Sequence, residues 1–283
     1  MTRFISEDSY TSSTTLQTCF LNAVFYEDYD KVNDCIAKKV DPNCISKEDG
    51  NTPLHIAAEN NSLPMVLKLL SIPKINVQIR NLHGQVPLHI TVECNNIKMA
   101  RMLLKKNTNP NIVDRLGNTP LHIAVRSRSI SFAQLLIKFH ADPNIFNAMD
   151  YTPLYIAILE TQSYPMMKLL INHGAKIRNT KRRMPLILEA ALFCHTMEEL
   201  QMIMHLVKMG IDITVIERTS QKNILHFVAI TGYFQLGIEL LIFGADANHR
   251  DIMGNTPADV ARAHKNFEMM FLFKNAQIMT TII

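Results

Sequence analysis

The chain of 283 residues is long enough for two compact domains or for one elongated array. Apolar residues make up 47% and charged residues 19%, the balance of a soluble folded protein. A formal charge of +4 is far from the dense positive field of a dedicated nucleic-acid binder, so no nucleic-acid partner is expected.

Residues 1–15 are rich in Ser and Thr and are expected to be disordered. They lack the apolar core of a secretory signal, and no stretch of about 18 uncharged apolar residues occurs in the chain, so no membrane span is expected. A helix pair is expected from Leu16 to Asn43, with Tyr29, Val32 and Ile36 on its second helix. Then one phrase recurs: Thr52-Pro-Leu-His-Ile-Ala-Ala, Val86-Pro-Leu-His-Ile-Thr-Val, Thr119-Pro-Leu-His-Ile-Ala-Val and Thr152-Pro-Leu-Tyr-Ile-Ala-Ile. Weaker copies follow at Met184-Pro-Leu-Ile, Asn223-Ile-Leu-His-Phe-Val-Ala and Thr256-Pro-Ala-Asp-Val-Ala. The prolines or their equivalents sit at 53, 87, 120, 153, 185, 224 and 257, at intervals of 34, 33, 33, 32, 39 and 33.

Each part of the phrase has a physical reason. Thr caps a free N–H at a helix start, and Pro takes the first helical position, where no N–H is needed. Leu, Ile and Ala then share one helical face, and the small side chains let neighbouring helices approach. A second apolar helix is expected in each copy, as in Met99-Ala-Arg-Met-Leu-Leu and Leu236-Gly-Ile-Glu-Leu-Leu-Ile. Turns such as His173-Gly-Ala-Lys and Phe243-Gly-Ala-Asp end it through glycine. A hairpin such as Asp114-Arg-Leu-Gly-Asn leads into the next Thr-Pro.

On these residues the chain resembles the ankyrin-repeat family, whose signature is T-P-L-H-x-A with a period near 33. The resemblance implies an all-α solenoid of about eight stacked helix-turn-helix repeats in a single domain, 16–283. Repeat boundaries fall near 16–46, 47–80, 81–113, 114–146, 147–178, 179–217, 218–250 and 251–283. Two departures stand out. Five extra residues in the sixth copy are expected near Leu192 to Glu198, between its helices. The hairpin glycine is replaced by Asp150 in the fifth copy, where left-handed geometry is tolerable, and by Arg182 in the sixth, where distortion is expected.

Residues that carry chemistry elsewhere have structural readings here. His55, His89, His122 and His226 occupy the fourth position of the phrase, one per repeat, and are expected to bond within their hairpins rather than converge on a metal. Cys194-His195 lacks an Asp or Asn partner and is expected on a surface loop. The five cysteines, Cys19, Cys35, Cys44, Cys94 and Cys194, are odd in number and contain no C-x-x-C, which suits free thiols in a reducing compartment. Most of the 16 methionines fall on apolar outer-helix positions and are expected in the core. No phosphate-binding glycine loop or hydrolase motif occurs, so no enzyme activity, cofactor or metal is expected.

The function implied is a scaffold or adaptor that binds a protein on its hairpin tips and inner-helix ends, as a monomer in cytoplasm or nucleus. The expected contact residues are Glu59, Glu93, Arg115, Leu116, Arg126, Met149 and Tyr151, with the basic run Lys181, Arg182 and Arg183 at one end of the footprint. Lys176 and Arg178 extend that run. Two further resemblances are open. Asn76-Val-Gln and Asp114-Arg-Leu-Gly-Asn-Thr-Pro-Leu-His-Ile-Ala look like segments of the cytoplasmic inhibitors of Rel-type transcription factors. Ile- and Asn-rich copies such as Thr152-Pro-Leu-Tyr-Ile-Ala-Ile resemble host-directed ankyrin effectors of large DNA viruses or symbionts.

Overall fold

A computed structural model describes residues 13–177 and 184–282. Every regular element among the described residues is helical, and none is a strand. The chain divides into two compact units, Met1–Met149 and Asp150–Ile283.

The first unit stacks four helix pairs in chain order. They are α1 (Ser13–Phe25) with α2 (Tyr29–Ala37), α3 (Pro53–Glu59) with α4 (Leu63–Leu70), α5 (Pro87–Glu93) with α6 (Ile97–Lys105), and α7 (Pro120–Arg126) with α8 (Ile130–Lys138). Helix α1 begins three residues before the expected Leu16. The inner helices α1, α3, α5 and α7 pack in a row, and α4, α6 and α8 form the outer row. Leu54, Leu88 and Leu121 fill equivalent places in the inner row and are buried, as are the small Ala57, Thr91 and Ala124. Truncating one of these leucines to Ala costs about 2–5 kcal/mol.

The second unit also holds four pairs. A short α9 (Pro153–Tyr155) runs into a π-helical turn (Ile156–Glu160) and is followed by α10 (Tyr164–Asn172). Then come α11 (Leu186–Leu192) with α12 (Met197–Lys208), α13 (Ile224–Thr231) with α14 (Phe234–Ile242), and α15 (Pro257–Ala263) with α16 (Phe267–Ile282). The π turn has a countable cause. From Pro53, Pro87 and Pro120 it is eight residues to the left-handed residue that ends the turn, Asn61, Asn95 or Arg128. From Pro153 to Gln162 it is nine, and the widened turn takes up the extra residue.

The insertion in the sixth copy is accommodated differently from the expectation. Helix α12 has 12 residues where α10 and α14 have 9, so most of the added length extends the outer helix. Its start is fixed by Thr196 and Glu199. Thr196 Oγ1 accepts from the Glu199 N–H at 3.2 Å, and Glu199 Oε2 accepts from Thr196 N–H at 2.8 Å and His195 N–H at 2.7 Å. Cys194 is buried under this cap rather than lying on the surface. Asp150 adopts φ 61°, the left-handed geometry expected of it. Residues 1–12 and the Arg182 hairpin position lie outside the described residues. Met65, Met99, Met166, Met167, Met202, Met269 and Met270 are buried, and Met102 is partly so.

Candidate protein-interaction surface

The hairpins are held from below by the buried histidines. His55 Nδ1 accepts from Thr52 N–H at 3.2 Å, which leaves the ring proton on Nε2, and this donates to the Gln85 carbonyl of the next hairpin at 2.9 Å. His89 links Val86 N–H, at 3.1 Å, to the Asn118 carbonyl at 3.2 Å. In the second unit His226 links Asn223 N–H, at 3.3 Å, to the Asn255 carbonyl at 3.0 Å. Burial pushes all three imidazoles below their ordinary range, His55 to about 4, so they are neutral tethers. Among the described residues, His, Cys, Asp and Glu form no group of three able to hold a metal ion.

Asparagines add a second tie. Asn81 Nδ2 donates to Asn51 Oδ1, and Asn147 Nδ2 to Asn118 Oδ1, each at 2.9 Å. Consecutive tips are joined through the backbone as well. Leu82 N–H donates to Asp49 O at 2.8 Å, Arg115 N–H to His83 O at 2.9 Å, and Ala148 N–H to Leu116 O at 2.8 Å. This close approach needs glycine at the hairpin: Gly117 has φ +74°, and a Cβ there would lie 2.6 Å from Ala148 N.

The ladder holds apolar side chains outward. Leu82 is 47% exposed, Leu116 66% and Met149 56%. Arg115 is exposed beside Leu116. At the inner-helix ends, Glu59, Glu93 and Arg126 are exposed, and two of these are tethered to their own hairpins. Asn51 Nδ2 donates to Glu59 Oε1 at 2.8 Å, and Gln85 Nε2 donates to Glu93 Oε1 at 2.7 Å. Although Glu93 is exposed overall, neighbouring groups partly desolvate its carboxyl and raise its pKa, against the pull of the Gln85 bond. Within the first unit the structure therefore brings Arg115, Leu116 and Met149 into one ladder, with Glu59 and Glu93 on the neighbouring ends of α3 and α5.

Tyr151, expected as an exposed anchor, is half-buried. Its ring stacks on Tyr155, with centroids 4.6 Å apart and planes 22° from parallel. Arg178, Lys181, Arg182 and Arg183 lie outside the described residues; Lys176 is exposed. In the second unit Ile252 N–H donates to Ser220 O at 2.9 Å, and Ile252 and Met253 project into solvent. The Ser220 tip is rigidified by Glu217. Burial raises that carboxyl's pKa, but hydrogen bonds from Thr219 and Ser220 outweigh it and bring the pKa to about 2. The exposed cations Lys98, Arg101, Lys105 and Lys106, on and after α6, lie outside the contact set expected from the sequence. The signal was there, since no acid lies between Glu93 and Asp114. Among the described residues no helix is long and apolar enough to cross a membrane.

A family model of ankyrin repeats matches residues 20–114 and 106–181. No curated protein sequence matches the chain. Among solved structures, the ankyrin repeat domain of Bcl-3, described as a unique member of the IkappaB protein family, is similar with a TM-score of 0.67 and 26% identity. That likeness covers 79% of this chain and 100% of the Bcl-3 domain. The matched residues include the proline-led helix starts, tethering histidines and laddered hairpins of the first unit, and the chain belongs to the ankyrin-repeat family.

Proposed function

We propose that this chain is a non-enzymatic adaptor that takes a protein partner across its hairpin tips and inner-helix ends, acting as a monomer in the cytoplasm or nucleus. The observation that carries the reading is the backbone ladder that holds Leu82, Leu116 and Met149 exposed in a row, with Arg115 in the same ladder and exposed Glu93 at the end of α5. Apolar anchors rimmed by charge are the composition of an interface centre. The basic run Lys181, Arg182 and Arg183 is proposed as one end of the footprint, acting on association rate and salt sensitivity.

Affinity capture followed by mass spectrometry identifies the partner, and kinetics with the purified partner then test the surface. Leu116→Ala and Met149→Ala should each weaken binding by about 1–2 kcal/mol. Unchanged affinity in both variants moves the site away from the tips. A second reading, regulation of a Rel-type transcription factor, draws support from the likeness to a member of the IkappaB family. Direct titration with a purified Rel-homology dimer tests it, and no binding at micromolar concentrations rejects it.

A further inference from the structure

The charge of the first unit changes along the stack: α2 carries Asp30 and Asp34, whereas the repeats after it are basic. Residues 60–141 carry eleven Lys and Arg against two acids, Glu93 and Asp114, a net +9 within a chain of net +4. Both acids are engaged internally. Glu93 accepts from Gln85, and Asp114 Oδ1 accepts from the N–H groups of Leu116 and Asn118 at 2.9 and 2.7 Å. They belong to an inner-helix end and a hairpin, so the outer helices α4, α6 and α8 contain no acid at all.

The cations gather on α6. Lys98, Arg101 and Lys105 are exposed, while Met99, Ala100, Leu103 and Leu104 turn into the core. Spacings of three and four residues align the three charges on one helical face, over about 10 Å of axis. Exposed Lys106 prolongs the row, Lys138 of α8 repeats the position of Lys105 one period later, and Arg128 stands just before α8. Like charges this close repel one another and raise the energy of the unbound surface, which an anionic partner relieves.

The neighbourhood narrows the partner. Helix α6 contains no Phe, Tyr or Trp, and Phe132 of α8 is buried, so the cationic row on α6 carries no aromatic platform on which nucleic-acid bases stack. Alternate side chains of an extended peptide lie about 6–7 Å apart on one side. Arg101 and Lys105 are separated by about 6 Å along the helix axis. We propose that the outer face of α6, with α8 beside it, is a second docking surface, and that its occupant is an extended Asp- and Glu-rich segment of a protein partner. This surface is independent of the hairpin tips, and its contribution is fast, salt-sensitive association.

The test uses the full chain and a fluorescein-labelled oligo-glutamate of about twelve residues, with oligo-glutamine and a single-stranded oligonucleotide of equal charge for comparison. Oligo-glutamate should bind, oligo-glutamine should not, and affinity should fall about tenfold between about 50 and about 300 mM NaCl. The triple variant Lys98→Glu, Arg101→Glu, Lys105→Glu should lose about tenfold or more in affinity, and the Gln counterparts about threefold. Leu116→Ala with Met149→Ala should leave this binding unchanged, which separates its failure from failure of the tip surface. Circular dichroism checks folding, and if the Glu variant unfolds the Gln variant decides. Absent oligo-glutamate binding, equal binding by parent and Gln variant, or tighter binding of the oligonucleotide at the same salt overturns the proposal.

Discussion

Tyr155 of α9 donates its hydroxyl to Oε2 of Glu189 in α11, across the seam between two consecutive repeats of the second unit. In the copies that keep histidine, the ring at this position reaches a backbone carbonyl of the next hairpin instead. The fifth copy has therefore exchanged a side chain to backbone tie for one between two side chains. That exchange makes Glu189 dependent on Tyr155.

Tyr155→Phe should lower stability by about 1–2 kcal/mol, because a half-buried carboxylate loses a donor. Tyr151→Ala should also destabilise the chain, since its ring packs on Tyr155, whereas Met149→Ala should not. Urea denaturation midpoints of the three variants check this. A Tyr155→Phe midpoint equal to the parent's removes the tie from the account of stability.

The buried histidines predict an acid-sensitive fold. His55 is neutral in the folded chain, with its pKa held near 4 by burial, against 6.5 for a free imidazole. Between those values the unfolded chain binds the proton that the folded chain refuses. Stability is thus full above about pH 6.5 and declines as pH falls towards 4, by about 2–3 kcal/mol for this residue. His89 and His226 shift in the same direction. Melting temperature should drop from pH 7 to 4.5, less steeply in His55→Gln; equal slopes would remove His55 from the account.

Two thiols should be inert in the folded chain. Burial pushes Cys44 and Cys194 up to about 12 each, leaving almost no thiolate at neutral pH. Iodoacetamide should label both only after urea is added, as read by peptide mass spectrometry. Rapid native labelling of Cys194 would show that the cap built by Thr196 and Glu199 opens readily.

His140 ends α8 with φ 66°, where glycine stands in later copies at Gly174 and Gly244. A left-handed non-glycine residue is strained by about 1–2 kcal/mol, and glycine's extra freedom in the unfolded chain takes back part of that. His140→Gly should therefore stabilise by about 0.5–1 kcal/mol in thermal unfolding. A destabilised variant would mean that the exposed His140 ring makes a contact worth more than the strain.

The period, the Thr-Pro starts and the tethering histidines were legible because each is a local rule repeated in register. The π turn was not, since an interval of 32 residues between Pro153 and Pro185 concealed an added residue ahead of Gln162. Helix α12 was half legible. The Thr196-Met-Glu-Glu199 spacing is a capping-box signature, yet aligning Pro185 and Gly210 located the insertion without showing that it would become helix. The stacking of Tyr151 on Tyr155 depends on ring orientations that no spacing encodes. The basic face of α6 was hidden by a modest net charge that averages over segregated regions.

The tip ladder leaves few main-chain groups for a partner. Leu82, Arg115 and Ala148 give their N–H groups to the preceding tip, while His83, Leu116 and Met149 give theirs to the asparagine or aspartate side chains of Asn81, Asp114 and Asn147. A partner strand cannot lengthen such a row by pairing with amides already in use. Discrimination at the tips must then reside in side chains that the framework does not need. Substitutions there can retarget the molecule while its hairpins, caps and core stay as they are, so partner choice and foldability can evolve as separate properties.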